Sequence, residues 1–144
     1  MDIYDINKMW AEDCKFNDTD LGGDALKIPK LHNKYFMMYA EEGLRLKKYR
    51  ADLKMLQQNK HEWLAGTMAE EDMKLLGWKP NPLKILKADI QRYIETDKDV
   101  VDSSLRIDFQ LSMVNYLEDI IKQIHSRNFY INNAIAWARF QSGS

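Results

Sequence analysis

"LKKYRADLKMLQQNKHEW" (Leu46 to Trp63) decides the fold. Leu46, Tyr49, Leu53, Leu56, position 60 and Trp63 are separated alternately by three and four residues. Residues so spaced share one side of an α-helix, and the alternation is that of a coiled-coil seam. Upstream, Leu31, Tyr35 and Met38 continue it, with one slip in register near Glu42. The pattern predicts a long helix over residues 29–66, roughly 50 Å at 1.5 Å per residue. One seam position breaks the rule: Lys60 puts a cation where an apolar residue is expected.

Gly and Pro punctuate the chain sparsely. "LGGDALKIP" (Leu21 to Pro29) reads as a turn ahead of the long helix, and "GWKPNP" (Gly77 to Pro82) as a second break. From Leu83 to Ser142 there is neither Gly nor Pro, and no segment alternates with period two. The prediction is all-α: a single domain with an acidic N-terminal arm over 1–28, the long helix over 29–66, a loop at 77–82, and C-terminal helices over 83–144. "HSRNF" (His125 to Phe129) is expected to bend the chain before a short last helix.

Composition narrows the function. Of 144 residues, 21 are Lys or Arg and 22 are Asp or Glu, for a net charge of −1. A uniformly basic nucleic-acid binder is excluded, but a locally basic one is not. Cys14 is the single cysteine, so no intrachain disulfide or thiolate metal cluster forms. No apolar run approaches the ~20 residues of a membrane span. The opening "MDIYDINKMW" lacks the basic and apolar regions of a signal peptide. A soluble, intracellular protein is expected.

The cations have their own geometry. Arg45, Lys47, Lys48, Arg50, Lys54 and Lys60 lie close together, opposed by Asp52. Lys47, Arg50, Lys54 and His61 follow helical spacing, in a stripe turned about 100° from the seam. Acid concentrates in the arm and at Glu70, Glu71 and Asp72. Cations beside the aromatic Trp63 suit single-stranded nucleic acid, which offers phosphates and unstacked bases. The competing reading makes the charges a solvated face and Trp63 a core residue, with Lys60 snorkelling past its neighbours.

Catalysis finds no support. His32, His61 and His125 are scattered in sequence, and no His-Glu-x-x-His pattern occurs. "LGGD" is not a phosphate loop, Cys14 has no sequence-suggested base, and Glu41-Glu42 and Glu70-Glu71 read as solvated charge. No enzyme, cofactor or metal site is expected. The C-terminal half speaks of assembly. Leu105, Phe109, Met113, Leu117, Ile120 and Ile124, with Phe129, Ile131, Ile135 and Phe140 beyond them, cover more than one helical stripe. A helix apolar over so wide an arc needs partners on several sides, and a homo-oligomer supplies them.

At the C-terminal end the residues carry a resemblance. "SRNFYINNAIAWARFQSG" (Ser126 to Gly143) resembles the closing motif of the UvsY family, the recombination mediators of T-even-type tailed phages. That motif runs Ser-Arg-x-Phe-x-Ile, then Ile, then Phe-x-x-Gly. Here Ser126, Arg127, Phe129, Ile131, Ile135, Phe140 and Gly143 carry it. "DKDV" (Asp97 to Val100) matches a second family motif. The family's single-strand-binding segment falls on Gln58, Lys60, Trp63, Leu64, Ala65 and Gly66. Gln58, Leu64 and Thr67 depart from its basic, aromatic and basic positions, which implies a weaker hold there.

The resemblance implies a non-enzymatic protein of an infected bacterial cytoplasm. It would form hexameric or heptameric rings and bind single-stranded DNA. It would engage the single-strand-binding protein covering that DNA and help load a UvsX-type, RecA-like recombinase. On this reading Lys47, Lys48, Arg50, Lys54, Lys60 and His61 meet the strand and Trp63 stacks on it or supports the loop at Gly66. The residues from Leu105 to Ile124 and from Ile131 to Phe140 close the ring. The alternative is a coiled-coil oligomeric adaptor that does not bind nucleic acid.

Overall fold

The computed structural model describes residues 1–143. They fold into five α-helices and one short 3-10 turn, with no strand among the described residues. The helices are α1 (Ile3–Asp13), α2 (Leu21–Ala65), α3 (Glu70–Leu76), α4 (Ile90–Thr96) and α5 (Lys98–Gln141), and the turn is Lys87–Asp89. Two compact units result. One joins Met1–Leu44 to the chain from Gln110 onward; the other is Arg45–Phe109. Both α2 and α5 contribute to each unit.

In the first unit, Ile6 of α1, Tyr35 of α2 and Met113, Leu117, Ile120 and Ile124 of α5 form the core. The predicted acidic arm is therefore partly a core helix. Asp2 begins it: its side chain accepts from the backbone of Tyr4 and Asp5, and Asp5 reciprocates to the Asp2 backbone. That capping box satisfies donors the first turn would otherwise leave open. Ile6, Met9 and Trp10 then place an apolar stripe on the core side.

Three other expectations change. The predicted turn at Leu21 to Pro29 is helical, because Asp20 accepts from Gly23 N–H and starts α2 there. The predicted bend at His125 to Phe129 is absent, and α5 runs through it. Arg127 of the Ser-Arg pair faces the interior at that point. It is buried, and it donates to the carbonyls of Cys14 (3.0 Å) and Lys15 (3.3 Å) with its guanidinium over Phe16. Those are carbonyls at the end of α1 that no further helical turn can satisfy. Glu42, read as solvated, is only 1 % exposed. Gln110 donates to its backbone carbonyl (2.8 Å) and to its carboxylate (2.7 Å). The register slip near Glu42 marks this buried polar contact with α5.

The residues predicted to close a ring divide. Met113, Leu117, Ile120, Ile124 and Ile131 are 6 % exposed or less. The first four serve the protomer's own interior, because α1 and α2 cover the face of α5 that carries them. Leu105, Phe109, Phe129 and Phe140 remain exposed, as does Trp137, and Ile135 is half-buried. His32 and His125, distant in sequence, stand with ring centroids 5.2 Å apart.

Asp13 closes the first unit. It accepts from Lys34 and, at 2.8 Å, from the Tyr35 hydroxyl. Burial pushes the Asp13 carboxyl up, but the Lys34 and Tyr35 donors outweigh it and hold the group below the usual carboxylate range. Burial, joined by the bond to Asp13, pushes the Tyr35 phenol well above its ordinary value. A depressed carboxylate stabilises the fold above the unfolded value of ~4, and this is lost as pH falls through the folded value. Asp13→Asn should therefore show a shallower loss of stability below about pH 4 than the parent, in urea melts across that range. Parallel pH curves would refute it.

In the second unit, Leu64, Ile90, Ile94 and Val100 are the buried cluster, with Leu53, Leu56, Trp63 and Ile85 packed on it. The seam of the opening stretch is thus the buried face of α2. Gly66, at φ 75°, ends that helix, and Thr67 N–H reaches back to the Glu62 carbonyl at 3.0 Å. A positive φ strains any side chain, so glycine fits this cap.

Candidate nucleic-acid interface

Lys60 is a seam residue in the structure as in the sequence, and it is only 8 % exposed. Its ammonium lies 3.1 Å from Asp97 and 3.2 Å from Asp99. Two indoles complete the surroundings: Trp78, with its ring centroid 4.4 Å away, and Trp63 at 5.8 Å. A buried ammonium costs several kcal/mol unless compensated, and here two carboxylates and two ring faces compensate it. The sequence sets Lys60 against a phosphate; in this fold its charge faces the protein's own acids.

The acids come from the "DKDV" motif. Asp97 Oδ1 accepts from the backbone N–H groups of Asp99 (3.0 Å) and Val100 (3.1 Å), which caps the start of α5. Its other oxygen takes Lys60, and Val100 enters the core. One short motif therefore starts a helix, neutralises a buried cation and fills the interior. Trp63 is half-buried in the same cluster. Its Nε1–H donates to the Lys79 carbonyl at 2.7 Å, and its ring meets Trp78 edge-on at 6.1 Å. The polar edge of the indole is already used, so Trp63 ties the loop after α3 to α2. Sequence reasoning missed Asp97, Asp99 and Trp78 as the partners of Lys60. The signal was available: a buried-face lysine demands acids elsewhere, and "DKDV" holds two.

The remaining predicted residues behave differently. Lys47, Lys48, Arg50, Lys54 and His61 are all exposed. None has an ion-pair partner among the described residues. Lys47, Arg50, Lys54 and His61 share one face of α2, turned away from the seam. Beside it, Lys54 and His61 join Gln57, Gln58 and Gln91 around a shallow groove of about 300 Å³. Arg106 lies over the Tyr49 ring at 3.9 Å in the same unit. No group of His, Cys, Asp and Glu among the described residues is arranged to hold a metal ion. Among the described residues no helix is long and apolar enough to cross a membrane.

Fold and site together define an all-α protein with an unpaired cationic face on a long helix. Residues 9–144 match the family described as "Recombination, repair and ssDNA binding protein UvsY". The chain belongs to the UvsY family. Its fold is similar to crystal structures of the bacteriophage T4 recombination mediator protein UvsY in three lattice types. For type II the TM-score is 0.82 at 15 % identity, covering 99 % of this chain and 98 % of that one. Type IV gives 0.82 at 16 % identity, covering 97 % and 99 %. Type I gives 0.80 at 15 % identity, covering 95 % and 98 %. No curated protein sequence matches the chain.

Proposed function

We propose that the protein is a single-stranded-DNA-binding recombination mediator of a tailed phage. It acts without catalysis, in the cytoplasm of the infected cell, and helps load a RecA-like, UvsX-type recombinase onto strands covered by single-strand-binding protein. Family membership supports the class. The observation that carries the DNA reading is the exposed, unpaired run Lys47, Lys48, Arg50 and Lys54 on one segment of α2. Acids are at hand in this chain, since it is near neutral overall. Cations left without them are free to displace counterions from phosphate. His61 and the amide-lined groove extend that face.

Lys60 and Trp63 support the interface from inside by fixing the end of α2. The strand is held by its backbone, without sequence reading, because no helix presents a base-reading set. The protein works as a homo-oligomeric ring, hexameric or heptameric. The exposed Phe129, Trp137 and Phe140 on α5, with Leu105 and Phe109, support an interface between copies. A ring repeats a weak stripe many times, and linked weak sites gain through effective concentration while each contact stays easy to release.

A salt titration tests the strand. Each cation that neutralises a phosphate of single-stranded DNA contributes about −0.7 to the slope of log affinity against log salt. Lys47→Ala/Arg50→Ala/Lys54→Ala should flatten that slope by roughly 2 for each engaged protomer, with melting behaviour within about 0.5 kcal/mol of the parent. A mixed-sequence oligonucleotide is the ligand. An unchanged slope would leave the adaptor reading standing.

A further inference from the structure

We propose that the groove beside α3 binds an acidic peptide segment with aliphatic or aromatic anchors, presented by another protein. The groove lies wholly in the second unit and has a volume of about 590 Å³. Its walls are mostly apolar, with Trp63, Leu64, Met68, Met73 and Ile85 among them. The DNA-binding stripe residues Lys47, Lys48, Arg50 and Lys54 do not line it.

Charge names the partner. Residues 73–88, "MKLLGWKPNPLKILKA", contain Lys74, Lys79, Lys84 and Lys87 and no acid, in a chain whose net charge is −1. All four lysines are exposed, and none has an ion-pair partner among the described residues. Exposed leucines alternate with them: Leu75 is 86 % exposed, Leu83 63 % and Leu86 73 %. Leu83, Lys84 and Leu86 line the groove itself, and the other lysines and Leu75 belong to the same exposed segment; soluble proteins seldom leave such side chains at a groove unless something docks there. Cations interleaved with aliphatic side chains complement a segment in which acids interleave with apolar anchors.

The same features argue against a nucleic-acid strand here. Bases bind aromatic faces, and leucines offer none. The two indoles nearby already flank Lys60, and the Trp63 N–H is committed to Lys79. Asn81 adds a polar point. Its Oδ1 accepts from Leu83 N–H at 3.1 Å, while its buried Nδ2 has no partner. An acceptor brought to the groove wall, such as a peptide carbonyl, relieves that donor.

Fluorescence anisotropy with the intact protein tests this. The probe is a short fluorescein-labelled peptide in which Asp and Glu alternate with Leu and Phe; a control peptide carries Lys in place of the acids. The acidic peptide should bind in a salt-sensitive way and the basic control should not. Lys84→Glu and Leu83→Ser should each weaken it by about tenfold or more. Both positions are exposed, so melting curves should show these variants folded. Lys47→Ala/Arg50→Ala/Lys54→Ala should bind the peptide as the parent does, which keeps this proposal separable from the DNA reading. No binding, equal binding of the basic control, or full affinity in Lys84→Glu would overturn it. So would displacement of the peptide by single-stranded DNA whose own affinity falls in Leu83→Ser, which would make the groove a nucleic-acid surface.

Discussion

Lys60→Ala should lower the unfolding free energy by about 2–4 kcal/mol while leaving the salt dependence of strand binding unchanged. The loss is large because it leaves two carboxylates behind. Asp97 and Asp99 both lie within 3.2 Å of the ammonium, and removing it leaves them facing each other across the space. Removing one partner of a buried pair typically costs about 3–5 kcal/mol. The lower range applies here because the Asp99 side chain is 60 % exposed and screened by water. Asp97 adds to the loss, since repulsion there also disturbs the cap of α5. Lys60→Met/Asp97→Asn/Asp99→Asn should recover a good part of the stability, because it removes the charges together. Urea melts and salt titrations on both variants decide the matter. If Lys60→Ala melts like the parent and flattens the salt slope, Lys60 belongs to the strand after all.

The position of Lys60 was legible in the sequence, but its environment was not. Spacing alone put residue 60 on the buried face of α2, and the structure buries it. What spacing cannot report is which residue of a distant segment reaches that face. Asp97 follows a loop and two short helical turns, and no periodicity connects it to α2. The stripe was easier, because exposure of one helix face depends on the helix alone. The wide apolar arc of α5 was expected to need several partners, and α1 and α2 of the same chain cover one part of it. The sequence could not apportion it, because the acidic residues of α1 disguised an amphipathic helix carrying Ile6, which is fully buried. Arg127 shows the same limit. Its place in a family motif was visible, but its task, satisfying carbonyls at the end of α1, required the fold to bring them together.

Leu117 and Phe140 separate the two roles that one apolar helix carries. Leu117 is fully buried in the first unit, beside Ile120, Ile124 and Tyr35. Leu117→Ala removes buried methyl groups and leaves a cavity between helices that cannot easily close. The expected cost is about 3–4 kcal/mol, read as a fall in urea midpoint with little change in its slope. Because the loss is internal to the protomer, it should persist at every protein concentration. Phe140 is 74 % exposed and stacks on Trp137, itself 60 % exposed, with ring centroids 5.6 Å apart. Trp137→Ser/Phe140→Ser removes no core, so a dilute sample should keep its secondary structure. If these rings join copies of the chain, sedimentation equilibrium should show smaller species, and the concentration dependence of melting should weaken. Point variants are better than truncation here, because cutting from Phe129 would also remove Ile131, which is 2 % exposed and part of the interior. An unaltered mass distribution in the double variant would move the interface away from the end of α5. A Leu117→Ala protein that loses oligomers but keeps its urea midpoint would return that residue to the interface.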